Sequence, residues 1–142
     1  MRHLCDSNVF VALLISGHPH HPIALTWFDS LPEGDTAEFC RMTQNSFLRL
    51  VTTDEFMRPY TLTNTKALAI YRTMLKDARI EFANEPKGLE ENWFSTASVA
   101  KMSPKLWMDA YLATFAYLSG LRFVTFDTGF RQFSKLDVLP LG

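Results

Sequence analysis

The sequence predicts an α/β fold in three layers, a central, mostly parallel sheet of about five strands flanked by helices. Two observations predict it. Short apolar runs bounded by turn residues alternate along the chain with segments of helical spacing. Strands joined through helices pair parallel by right-handed crossovers, which lay the helices on the faces of the sheet.

The elements follow in order. "RHLC" reads as a first strand, and "DSNVFVALLIS" as a helix with Ser7 or Asn8 as its cap. Gly17 and Pro19 interrupt, after which Ile23, Leu25, Trp27, Phe28 and Leu31 resume helical spacing. "PEGD" is a turn, "TAEFCRM" a second strand, and Thr43 the expected N-cap of "QNSFLRLVTT" with Phe47, Leu48 and Val51 inward. "TLTNTKALAIYRTMLKDA" is the longest clean amphipathic helix, and "RIEFA" the third strand. "NEPKGLEENWFSTAS" reads as loop with a helical turn. Ser103-Pro104 opens a helix, cap then proline at its first position, and Gly120 closes it. "LRFVTF" is the fourth strand, "DTGFRQF" a turn and short helix, and "LDVLPL" the fifth strand.

Composition narrows the classes. At 142 residues, 47% hydrophobic and 20% charged, the chain is expected to form one globular domain over residues 1–142. The apolar runs are too short for a bilayer and no basic region introduces a signal peptide, so no membrane and a cytoplasmic location are expected. Cys5 and Cys40 lack metal-ligand spacing and are expected as buried free thiols. A net charge of -1 excludes a strongly basic surface, though not a local basic groove.

In open parallel sheets functional groups gather outside the carboxyl ends of the strands. Asp6 follows the first strand and Asp127 the fourth, while Asp109 lies in the second turn of the helix feeding the fourth. Each has a plainer reading. Asp6 suits a helix cap and Asp127 a turn in "DTGF". Asp109 is harder to dismiss, since Trp107, Met108, Tyr111 and Leu112 surround it with apolar side chains and an unpartnered carboxylate there is costly. Three carboxylates on one rim repel one another, and a hard divalent cation with a preference for oxygen cancels that repulsion.

"CDSNVFVALL", "WMDAYLATFAYLSGLRFVTFD" and "TGF" resemble the PIN-domain family, specifically VapC-type toxins of bacterial toxin–antitoxin pairs. The likeness runs through the "PHH" loop, "TQNSFLRL" and "EPKGLEENW", and "DAYLA" leading to "VTFD" is its most specific part. The resemblance implies a Mg²⁺- or Mn²⁺-dependent endoribonuclease whose metal ligands are Asp6, Asp109 and Asp127. It matches Asn8 to the polar residue two positions after the first acid and Thr125 to a hydroxyl before the last. It further implies an RNA substrate, a VapB-like antitoxin partner and a homodimer. The family's second acid, a glutamate, is here Gln44, so the site holds three negative charges rather than four and a second ion binds more weakly.

Arg41, Arg49, Arg122 and Arg131 lie near ends of elements abutting the rim and are candidates to meet RNA phosphates. His18, His20 and His21 lack the further ligands a zinc site needs, and a loop or helix-start role is expected for them. A dehalogenase-type phosphatase wants an aspartate where Asn8 stands, a receiver domain an acidic pair before its phosphorylated residue, and a dinucleotide-binding fold a glycine-rich first turn; none fits "CDSNVF". The serious alternative is a PIN-like module that has lost catalysis through Gln44 and serves in binding.

Overall fold

The computed structural model describes residues 1–142. Five strands, β1 (Arg2–Cys5), β2 (Thr36–Phe39), β3 (Ile80–Phe82), β4 (Arg122–Thr125) and β5 (Val138–Pro140), form one sheet in the order β3-β2-β1-β4-β5. Every pairing is parallel, with Leu4 opposite Glu38 on one side and Phe123 on the other. The chain builds outward from β1 to β2 and β3, then crosses back to add β4 and β5. That reversal makes the carboxyl ends of β1 and β4 the topological switch point, where such sheets open a crevice.

Alternation along the strands divides the interior into two cores. Cys5, Phe39, Ile80 and Val124 face α1 (Ser7–Leu14), α2 (His21–Asp29), α3 (Arg41–Val51), α4 (Asp54–Met57) and α5 (Asn64–Met74). Phe10 of α1 stacks on Phe39 with ring centroids 3.7 Å apart. Leu4 and Phe123 face α6 (Leu89–Ala97) and α7 (Pro104–Ser119), whose Leu112, Phe115 and Ala116 are buried. Gly120 closes α7 at φ +66°, the left-handed conformation that glycine adopts without penalty. Cys5 and Cys40 are free and buried, and no helix is long and apolar enough to cross a membrane.

Several boundaries differ from the sequence reading. The second strand ends at Phe39, because Arg41 already begins α3. Thr43 is therefore the third residue of the helix rather than its N-cap, and its Oγ1 accepts the Cys40 backbone N–H at 2.9 Å. Neither Ser7 nor Asn8 caps α1, since the helix starts at Ser7 and the cap position falls to Asp6. The amphipathic "TLTNTKALAIYRTMLKDA" yields only Asn64–Met74, because Asp77 accepts the Arg79 backbone N–H at 2.9 Å and turns the chain toward β3. The longest helix is α7, at 16 residues. The segment read as loop with a helical turn contains the nine-residue α6, where Leu89 and Trp93, four residues apart, pack against α7. Trp93 Nε1 donates to the Trp107 carbonyl at 2.7 Å and fixes that packing.

Candidate active site

Asp6 leaves the carboxyl end of β1 and its backbone N–H bonds the Val124 carbonyl at 2.9 Å, which sets it beside β4. Its side chain makes no cap hydrogen bond to α1. Instead Oδ2 accepts from Thr125 Oγ1 at 2.7 Å and from Asn8 Nδ2 at 3.4 Å. Asn8 in turn accepts the Phe126 backbone N–H through Oδ1 at 3.4 Å, so it links the start of α1 to the end of β4. Thr125 Oγ1 also accepts the Asp127 backbone N–H at 2.9 Å. One fully buried hydroxyl therefore joins the first acid to the third.

Asp127 has a second task. Its Oδ1 accepts the Gly129 backbone N–H at 2.8 Å and caps the 3₁₀ turn Thr128–Gln132, as its turn reading expects. Its Oδ2 accepts from Lys105 Nζ at 2.8 Å. The same ammonium stands 3.5 Å from Asp109 Oδ2, one helical turn along α7. A single cation thus touches two of the three acids. Lys105 escaped the sequence reading; the signal available was its i, i+4 spacing to Asp109, which stacks the two on one helix face.

The three carboxyls differ in electrostatics. Burial pushes Asp6 above the usual carboxylate range, assisted by the charges of Asp109 and Asp127 and opposed by the Thr125 bond. Burial raises Asp109 as well, against the pull of Lys105. Asp127 is lowered, first by the Lys105 hydrogen bond and then by the Gly129 N–H. The pocket is short of positive charge on the Asp6 side and supplied with it on the Asp127 side.

The other candidates divide. Gln44 Oε1 accepts from Arg41 at 2.7 Å and its Nε2 donates to the Tyr71 hydroxyl at 3.0 Å, so its side-chain bonds run to α3 and α5 rather than to an acid. Arg41 begins α3 at the rim, its guanidinium 4.7 Å over the Phe82 ring. Arg131 lies exposed in the turn after Asp127. Arg49 sits eight residues beyond Arg41, about 12 Å along the helix axis, and so away from the rim. Arg122 opens β4 at the opposite end of the strand and pairs with Asp137 at 3.1 Å. These two do not abut the acids. His18, His20 and His21 fall in the loop and at the start of α2.

As they stand, the carboxylates do not surround a common point closely enough to chelate one ion. The donors nevertheless fit a hard divalent cation: all are oxygen, Asp109 is buried with Asp6 and Asp127 half-buried, and two already share an ammonium held between them. An open apolar hollow of about 480 Å³ lies away from the acids, among Leu13, Leu14, Phe28 and Met74. An open rim is what a polymeric substrate needs.

A parallel sheet with acids at its switch point defines a class, and sequence relationships agree with it: the chain belongs to the PIN domain family, whose model matches residues 4–136. It is 43% identical over 139 residues to Ribonuclease VapC41 of Mycobacterium tuberculosis, covering 95% of each chain. Its fold resembles that of Mycobacterium tuberculosis VapC20, a sarcin-ricin loop cleaving toxin, with a TM-score of 0.67 at 15% identity over 99% of this chain and 100% of the other. It likewise resembles VapBC2 from Rickettsia felis, solved on a DNA fragment from its promoter, with a TM-score of 0.66 at 14% identity over the full length of both chains.

Proposed function

We propose that this chain is a single-domain endoribonuclease, the toxin of a type II toxin–antitoxin pair, and that it hydrolyses RNA phosphodiesters with a carboxylate-bound divalent cation. The observation that carries this reading is the set Asp6, Asp109 and Asp127 at the switch point, linked by Thr125 and Lys105. The 43% identity to a named ribonuclease over nearly the whole chain supports it. Mg²⁺ or Mn²⁺ suits the all-oxygen donors.

Asp6, Asp109 and Asp127 would hold the cation. When bound, it supplies a water of lowered pKa and neutralises charge on the phosphoryl oxygens. The chain's own residues do the rest. Thr125 and Asn8 donate to Asp6 Oδ2 and fix the carboxylate's orientation. Gly129 anchors Asp127 through its backbone N–H. Arg41 and Arg131, flanking the acids, meet backbone phosphates of a single-stranded segment. An antitoxin segment bound over this rim would block the same groove, and a homodimer would set two rims side by side; the resemblance to toxin–antitoxin complexes supports the first.

Incubation of the purified protein with total RNA and Mg²⁺ or Mn²⁺, followed by mapping of new 5′ ends, tests the reading. Discrete ends that vanish with chelator and with Asp6→Asn are expected; identical ends from wild type and Asp6→Asn overturn it. A second reading, a PIN-like module that binds RNA or protein without cleaving, draws on Gln44, whose amide replaces a charged ligand and is tied to Arg41 and Tyr71. That module would bind RNA and leave it intact under all metal conditions.

A further inference from the structure

The rim treats its acids unequally. Asp127 has both oxygens engaged by its own chain, Oδ1 by the Gly129 N–H and Oδ2 by Lys105. No ion pair of the chain involves Asp6, whose side-chain donors, Thr125 and Asn8, are neutral. Asp109 stands between, reached by Lys105 at 3.5 Å. The fourth position, where the family carries a carboxylate, holds the uncharged Gln44, and its amide is tied down by Arg41 and Tyr71. Three negative charges thus face one fixed positive charge, leaving a deficit that one divalent cation satisfies.

We propose that Lys105 is the site's built-in second cation: it offsets one of the three carboxylate charges and leaves the set Asp6, Asp109 and Asp127 with the charge for a single divalent ion. The assignment rests on the nuclease reading. Two features argue for it independently. The lysine rises from the same helix as Asp109, one turn earlier, so helical geometry brings its ammonium to Asp109, and β4 then delivers Asp127 to it. Its stem is exposed, with 70% of the side chain accessible, so packing does not explain where its head lies. An ammonium has three donors and no preferred coordination shell, and can hold two carboxylates while water fills the third place. Lys105 is a positioning residue in this scheme, acting on substrate only through the carboxylates it arranges.

Titration calorimetry and electron paramagnetic resonance with Mn²⁺ alone, on the full chain, count and weigh the ions. Wild type is expected to bind one Mn²⁺ per chain. Lys105→Met is expected to admit a second ion or to tighten Mn²⁺ binding roughly tenfold, the effect of removing one charge several ångströms from a divalent ion in water-like dielectric. Lys105→Arg should restore the wild-type count, and circular dichroism should show all three folded alike. Two Mn²⁺ on wild type, or a Lys105→Met isotherm matching wild type, overturns the assignment while leaving the nuclease reading intact. Wild type that binds no Mn²⁺ and cleaves no RNA overturns the nuclease reading, and the assignment falls with it.

Discussion

Thr125 and Asp6, 119 residues apart in sequence, meet through a 2.7 Å hydrogen bond in which the threonine hydroxyl donates to the carboxylate. The same oxygen accepts the Asp127 backbone N–H, so a side chain with no charge sets the spacing of two acids. Its burial is complete, which makes the bond hard to replace by water. Thr125→Val keeps the shape and removes the donor. We expect a loss of about 1–3 kcal/mol in denaturant unfolding, the cost of depriving the Asp6 carboxylate of a donor and the Asp127 N–H of its acceptor, together with a fall in RNA cleavage. Thr125→Ser should retain both within a factor of a few. A Thr125→Val variant with wild-type stability would show that the hydroxyl organises nothing.

The acids work against the fold they decorate. Burial and the neighbouring charges raise Asp6, so its ionised form is the less favoured one in the folded state. Its destabilising effect is present at neutral pH and fades as pH falls toward the ordinary carboxyl value of 3.8, where the proton returns. Asp127 behaves oppositely. Its value is lowered by Lys105, so it contributes stability above pH 3.8 that is lost as pH falls through its folded value. Asp6→Asn, melted in chelator, is therefore expected to raise Tm by a few degrees at pH 7 and to match wild type near pH 3.5, while abolishing cleavage. A lowered Tm at pH 7 would mean that Asp6 is a structural cap rather than a strained functional group.

Much of this was legible in the chain. Alternating runs and caps place the five parallel strands, and acids written directly after "RHLC" and "FVTF" must emerge at carboxyl ends once those strands pair. Three things were hidden for physical reasons. The helix at Leu89–Ala97 buries only one narrow stripe, and Glu90, Glu91, Asn92 and Ser95 mask it. Gln44's partners come from its own helix and from Tyr71, 27 residues on, a contact that exists only after α3 packs on α5. Lys105 looks like an ordinary exposed i, i+4 partner of Asp109 until β4 delivers Asp127 to it.

The arginines separate by position. Arg41 and Arg131 flank the acids, whereas Arg49 lies two turns down α3 and Arg122 is paired with Asp137 at the far end of β4. Charge removal at Arg41 or Arg131 is expected to weaken binding of single-stranded RNA to an Asp109→Asn protein and to flatten its salt dependence by roughly 0.7–1 in log–log slope. Arg49→Ala and Arg122→Ala should leave that slope unchanged. Fluorescence anisotropy across a salt series measures it, and an equal effect from all four would make the binding surface diffuse rather than local to the rim.

Glu38 is the remaining buried acid and shows what a carboxylate without catalytic work looks like. It is fully buried on β2, takes a bidentate pair from Arg2 at 2.8 Å per bond, and accepts from Thr36 Oγ1 at 2.6 Å. Both carboxylate oxygens have partners, and Arg2 and Thr36 are each near a strand's amino end, opposite the rim. Removing it leaves Arg2 and Thr36 without their acceptor inside the sheet. Glu38→Ala is expected to cost about 1–3 kcal/mol in unfolding free energy, because Arg2 is half exposed and regains water while the buried Thr36 hydroxyl loses its acceptor. At temperatures where the variant stays folded, its Mn²⁺ affinity should equal that of wild type, in contrast to Asp6→Asn and Asp109→Asn. Weakened Mn²⁺ binding by folded Glu38→Ala would place Glu38 among the groups that hold the ion.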